Sequence, residues 1–449
     1  MEQLNREICG AVWTSPHPGR LMEALSYDIG PRPTGSKAMT QAQELVATVL
    51  RELGANNVRT ELVDVVAWRE APSAVEIVSP IKHRIESYHH VRSLGETVSG
   101  PILHVGGGDE NDLERVGKQL EGAIVLIQGH EPVGSKFTPL PVRLGEFVEA
   151  GAAGVITTCV DPLGCPAIEL FGTSDDFPVP AVGISYEEGH RLAALTRDGK
   201  PQGRLEASGT SYHTTCVNLV ADLGPVGMTK ECIVLSAHVD SFYVNPGSFD
   251  NLTGVITLIE IARALAPLQS KFQRTLRLVL YTGEEYGFQG SKAYIQQHRD
   301  ELDRTRFVFN MDSLFPPTAE GVAVMWSPTM RDYIDCAFSD TQCQVEVRDL
   351  FCMSSDYLPF MLEGIPTARP AQFDSTQAFP PWSHTRLDTP DKVPDIWIRQ
   401  NALTFAQMLA RMLTDPAPLP AHRKSPQEVN ELIDKEGACE ILRSYGFDV

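Results

Sequence analysis

Seven residues have the types and setting for shared chemistry. His238 and Asp240 follow the apolar run CIVLSA. Asp250-Asn251 stands directly before LTGVITLIEIARAL. Glu284 and Glu285 follow LRLVLYTG, Asp312 follows FVFNM, and His384 lies in the loop PPWSHTRLDTP. Taken singly, each has an ordinary explanation. A histidine after a strand is commonly a hydrogen-bonded structural residue, and an aspartate there is commonly a turn or cap. Paired glutamates suit a solvated helix start, and Asp250-Asn251 suits an N-cap. The ordinary explanations weaken because all seven fall at one kind of position, the end of a strand or the loop beyond it. Two imidazoles with several carboxylates form a borderline-hard ligand set, which fits zinc, with cobalt or manganese as substitutes. Two metals a few ångströms apart need a bridging carboxylate, and a short Asp at a helix start suits that. A metal pair polarises a carbonyl and makes hydroxide available near neutral pH. One further carboxylate must stay off the metal to carry protons, and of two adjacent glutamates one can ligate while the other faces the water.

The elements that must position these residues can be read from the pattern. Apolar spacing after Gly35-Ser36 predicts a helix ended by Gly54, with Ser36 as its cap and a strand at 58–66 after it. From about residue 68 the texture changes to short apolar strands (74–78, 102–105, 123–127, 155–158, 181–184) between Gly- and Pro-rich loops, with a short helix near 144–153. From about 213 strands and helices alternate: strands at 232–237, 275–281, 307–311, 322–326, 345–347 and 367–369, helices at 252–265, 290–298 and 395–413. That alternation predicts an α/β fold, a central sheet with helices on both faces, and in such sheets the ligand crevice lies beyond the carboxyl ends of the strands. The proline-rich stretch 415–420 reads as a linker. Ser425-Pro426 starts a tail helix whose Val429, Leu432 and Ile433 can dock on the body or on a second copy of the chain.

At these residues the sequence resembles the co-catalytic zinc exopeptidases, a family that includes bacterial leucyl aminopeptidases, glutamate carboxypeptidase and the non-enzymatic transferrin receptor. The matching stretches are LSAHVDS, GSFDNLTG, YTGEEYGFQGS, FNMDS, SSDYLPFMLEGIP and SHTRLDTPDKV, in the family's order, preceded by DIGPRPTGSKAMTQAQELVATVLRELG. The resemblance implies two zinc ions. His238, Asp250, Glu285, Asp312 and His384 would be the metal ligands, Asp250 bridging. Asp240 would orient the His238 ring, and Glu284 would be the general base and acid. The family often reads SDH where this chain has Ser355-Asp356-Tyr357, which bears on specificity rather than on the ligand set. Tyr357, Trp382 and Phe379 are candidates for a substrate pocket and equally for core. The middle segment, with LEGAIVLIQGHEPVGSKFTPLPVRLGEFVEAGAAGVITT and FPVPAVGISYEEGHRLAAL, resembles a mainly-β protease-associated domain inserted in the catalytic fold, which would form a lid or wall over the cleft. The expected organisation is a catalytic domain split into 1–67 and 212–415, an inserted domain at 68–211, and a linker and tail helix at 416–449.

Composition bounds the rest. Lys and Arg number 38 against 58 Asp and Glu, a net charge of −20. Nucleic acids and anionic membranes select basic surface, so neither is expected as a partner. Nine cysteines, odd in number and without a CxxC pair, read as reduced thiols of a cytoplasmic protein. The N-terminus lacks a basic stretch followed by an apolar run, so no signal peptide is expected, and no membrane-spanning run is expected either. The expected function is hydrolysis of a terminal bond in a peptide or small amide, with aminopeptidase preferred. A carboxypeptidase or dipeptidase of the same family is the alternative; such enzymes commonly read a carboxylate through basic residues, for which Arg348, Arg369 and Arg386 are candidates, a surface or structural role being the preferred reading of each. A non-catalytic binding protein is the other alternative.

Overall fold

The computed structural model describes residues 2–128, 140–173, 175–197, 199–225, 231–315, 321–339, 341, 345–373 and 380–449. Cys343, Phe379 and part of the inserted segment's motif (129–139) lie outside the described residues. The chain divides into two compact units. One comprises Met1–Val65, Thr214–Phe379 and Asp388–Glu436, the other Val66–His213, Pro380–Leu387 and Gly437–Val449.

The first unit is built on an eight-stranded mixed sheet. Its strand order is Asn56–Arg69, Thr210–Leu223, Thr275–Tyr281, Cys232–His238, Thr305–Asn310, Thr367–Ala371, Gly321–Met325, Val347–Asp349. All seven residues of Cys232–His238 are buried, as a parallel strand covered on both faces requires. It runs parallel to both neighbours, with His238 opposite Tyr281 and Ser236 opposite Asn310. Parallel register brings the carboxyl ends of three strands to one edge, and His238, Glu284 and Asp312 all emerge there.

The helix Leu252–Leu265 is the core helix, with only Arg263 reaching partly to solvent. It packs on the sheet strand Cys232–His238 and on the helices Asp395–Thr414 and Glu2–Thr14. Side chains such as Leu258, Ile259 and Phe405 are shut from water, each worth about 1.5–3 kcal/mol in burial. The stretch Leu252–Lys271 is long and apolar enough to cross a membrane by length and composition, although no such run is expected from the sequence. Here 83% of its apolar window is buried inside the protein, where it serves as core.

Local signals in the sequence act as read. Ser36 Oγ accepts the Met39 N–H (3.0 Å) at the start of Lys37–Glu52. Ser425 and Glu428 form a reciprocal capping box on Pro426–Glu436: the Ser425 N–H donates to the Glu428 carboxylate (2.8 Å) and the Glu428 N–H to Ser425 Oγ (3.3 Å). Val429 and Ile433 of that tail helix are buried within the chain itself.

The second unit holds an eight-stranded mixed sheet, ordered His83–Glu86, Ala74–Ser79, Gln202–Glu206, Thr97–His104, Ile124–Ile127, Gly154–Thr158, Ala181–Ile184, Tyr88–His89. The helices Glu110–Val116, Leu140–Glu149 and Tyr186–Arg197 accompany it, with apolar clusters around Phe147 and around Leu192. The stretch 380–387, part of 212–415 in the sequence reading, clusters with this unit because it is stitched to it. The Ile168 N–H donates to His384 O (2.9 Å), Ala167 bridges Thr385, and Arg386 Nη1 meets Glu86 Oε1 at 2.9 Å.

Candidate metal centre

His238 closes its strand with its ring buried. Its Nδ1 lies 3.1 Å from the main-chain oxygen of Asp240. An Nδ1–H donated to that carbonyl leaves Nε2 with its lone pair outward, the tautomer a metal ligand needs. Nε2 is buried and has no hydrogen-bond partner among the described residues. It faces Asp250 Oδ1 at 3.2 Å, Asp312 Oδ1 at 3.5 Å and Glu284 Oε2 at 3.8 Å. Ligand atoms of His238, Glu284 and Asp312 lie within 4.8 Å of one another, and carboxylate oxygens of Asp250 and Glu285 are equally close to each other. One imidazole and four carboxylates are therefore gathered at one strand edge.

Asp240 meets the His238 ring with its main-chain oxygen and carries further contacts on its carboxylate. Its Oδ1 is 3.7 Å from His238 Nδ1, against 3.1 Å for its main-chain oxygen. The carboxylate accepts the N–H of Glu284 and the N–H of Glu285, both at 3.3 Å, and the Thr34 hydroxyl at 3.0 Å. It thereby braces the turn that presents both glutamates.

Asp250 is set by its neighbours in sequence. Asn251 caps the core helix through Gly254 N–H (2.9 Å), accepts Ser313 N–H (3.1 Å) and donates to Met311 O (2.9 Å). This ties the helix start to the strand end that carries Asp312. Gly254 is required for the approach, since a Cβ there would lie 2.3 Å from both Asn251 Oδ1 and Met311 O. Asp388 accepts the N–H groups of Phe249 (2.7 Å) and Asp250 (3.1 Å). Sequence reasoning missed Asp388, although it stands in the quoted stretch SHTRLDTPDKV. It also missed Asp356, fully buried, which accepts the Ser291 hydroxyl at 2.5 Å.

Electrostatics follow from crowding. Burial together with Asp312, Asp356 and Glu285 pushes the Glu284 carboxyl well above the usual range, against the pull of His238. Burial, with Asp240 and Asp312 nearby, raises Asp356 to about 8, against His238 and Ser291. Burial alone would lower His238, but the carboxylates facing it, Glu284 foremost, raise it well above the usual imidazole range. Anionic oxygens in excess around an imidazole whose Nε2 lacks a hydrogen-bond partner fit a divalent cation, and the all-N/O donor set fits zinc, manganese or cobalt.

Each remaining candidate has contacts within its own unit. His384 belongs to the 380–387 stretch, where its Nδ1 lies 3.3 Å from Glu169 Oε2. Tyr357 is fully buried and donates to Cys352 Sγ at 2.9 Å, so it is core rather than pocket wall. Trp382 is half-buried. Arg348 pairs with Glu346, Arg369 donates to Ser354 Oγ and Pro370 O, and Arg386 pairs with Glu86. Among the described residues the eight cysteines form no disulfide.

Residues 218–409 match Peptidase family M28. Carboxypeptidase Q of Mus musculus is 26% identical over 306 residues, which are 65% of this chain and 63% of the mouse protein's length. Among solved structures, a peptidase M28 precursor from Shewanella amazonensis aligns with a TM-score of 0.81 at 24% identity, covering 94% of this chain and 99% of that one. The zinc aminopeptidase of Bacillus subtilis aligns with a TM-score of 0.70 at 21% identity, covering 91% and 98%. At these identities the structural likenesses establish the fold.

Proposed function

We propose that this chain, which carries a Peptidase family M28 domain at residues 218–409, is a metal-dependent exopeptidase that removes an N-terminal residue from a peptide or small amide. The observation that carries the reading is the meeting of His238, Glu284 and Asp312 within 4.8 Å, beside Asp250 and Glu285. In this reading His238, Asp250, Glu285 and Asp312 hold two zinc ions, cobalt or manganese being able to replace them. His384 is assigned as the remaining ligand from its motif. When bound, the ions would polarise the scissile carbonyl and lower the pKa of water towards about 7.

The chain's own residues do the rest. Glu284, itself buried, takes the proton from the attacking water at its carboxylate and passes it to the leaving amine. Asp240 keeps Glu284 in place through the main chain. The inserted unit is read as a protease-associated domain. The aminopeptidase reading is supported by the engagement of Arg348, Arg369 and Arg386 with partners within their own units. Likeness to mouse carboxypeptidase Q favours a second reading, release of a C-terminal residue. Aminoacyl anilides assayed against N-blocked dipeptides separate the two.

Glu284→Gln tests the proton path. It keeps the shape of the residue, so zinc content should match the parent while kcat falls by at least about 100-fold. A variant with parental zinc and parental kcat would remove Glu284 from the mechanism.

A further inference from the structure

The stretch Gly30-Pro31-Arg32-Pro33-Thr34 has no task in the ligand set or the proton path, yet Arg32 is completely buried. A guanidinium offers five N–H donors in a fixed planar fork. Here Nε donates to Val239 O (2.8 Å), Nη1 to Pro246 O (2.5 Å) and Gly30 O (3.1 Å), and Nη2 reaches Gly247 O (3.5 Å). Three of these acceptors belong to one loop, 239–247, which joins the strand end bearing His238 to the turn bearing Asp250. The main chain of Arg32 grips the same loop: its N–H donates to Ser241 Oγ (3.1 Å), and the Ser241 N–H donates back to Arg32 O (3.2 Å). Two residues on, the Thr34 hydroxyl holds the Asp240 carboxylate. The loop folds tightly on itself, since Gly247 has φ +55° and a Cβ there would lie 2.3 Å from Asp250 O. At the far end Asp388 holds the N–H groups of Phe249 and Asp250.

A buried arginine that caps carbonyls is often only a fold brace. Arg274 is one in this chain, tying the strand Thr275–Tyr281 to the oxygens of Met412 and Ala417. Arg32 differs in what surrounds it. Its loop acceptors lie between two site residues, and the charges that oppose its burial are those of Asp240, Asp388 and Glu285.

We propose that Arg32, with Asp388 as its counterpart, is a positioning residue for the metal centre: the fork fixes the 239–247 loop and Asp388 fixes 249–250, so that Asp240 and Asp250 keep their carboxylates in place. This rests on the metal-centre reading above. The test is zinc affinity of the full chain, stripped with chelator and titrated with zinc alone against a chromophoric chelator, with circular dichroism to verify folding. Arg32→Lys keeps the charge but loses the fork. Asp388→Asn keeps the shape but puts an amide donor against one N–H. Each should weaken zinc binding at least about tenfold while remaining folded, and Lys should not rescue the effect of Arg32→Met. If Arg32→Met does not fold, Arg32→Lys and Asp388→Asn decide. Folded variants with the parent's zinc affinity would overturn the proposal and leave the metal reading standing. A parent chain that binds no zinc would overturn both.

Discussion

The second unit should be unusually sensitive to mild acid, because it buries two adjacent histidines in neutral form. Burial, with a smaller push from His89, lowers the His90 ring from 6.5 to about 3. Burial lowers His89 to about 4, against main-chain hydrogen bonds at Leu94 and Ser93. His90 has its uses as a neutral ring: Nδ1 accepts the Glu169 N–H (3.0 Å), Nε2 meets Thr157 Oγ1 (2.7 Å), and the ring stacks on Phe171. Both folded values lie below the unfolded one, so the unfolded chain binds more protons below pH 6.5. Stability is therefore full above pH 6.5 and falls as pH drops from 6.5 towards the folded values. With two protons in play the slope is about 3 kcal/mol per pH unit, or about 5 kcal/mol lost between pH 7.5 and 4.5. That is comparable with the whole stability of many domains, about 5–15 kcal/mol. Urea unfolding of the full chain at a series of pH values measures it. Trp68, edge-on to His89 at 4.9 Å, serves as the local reporter. His90→Gln should reduce the slope by about half. An unchanged slope in that variant, or a His90 ring that titrates above pH 6 by NMR in the folded protein, would refute the reasoning.

Two other predictions concern the first unit. Gly254→Ala should reduce zinc binding and lower the melting temperature, because its Cβ would force Asn251 away from Met311; parental zinc affinity in a folded variant would count against the coupling of the helix start to the Asp312 strand. The Cys232 thiol, buried and pushed up to about 12, should resist thiol reagents at pH 8 until the chain unfolds, and its labelling in the native protein would contradict that placement.

The parts of the architecture legible in sequence are those governed by local rules. Ser36 and Gly54 mark their helix by capping chemistry, and the apolar runs before His238, Glu284 and Asp312 mark buried strands. Parallel pairing then carries their ends to one edge, which strand–helix alternation already implied. What escaped depends on distant contacts. Arg32 sits between two prolines and reads as a loop residue, yet its acceptors in the 239–247 loop lie more than two hundred positions away. Asp388 reads as a turn residue, and only the fold sets it under the Phe249 and Asp250 N–H groups. The resemblance makes Asp240 the residue that orients the His238 ring; in the structure its main-chain oxygen lies nearest that ring while its carboxylate braces the glutamates. Likewise 380–387 continues the main unit in sequence but bonds to residues 164–168.

The most direct test of the central claim counts metal and activity in one preparation. The full chain, loaded with zinc and desalted, should hold two zinc ions and hydrolyse aminoacyl anilides. Activity should disappear in step with metal removal and return with zinc or cobalt. Undiminished hydrolysis by protein verified to be free of metal would contradict the account.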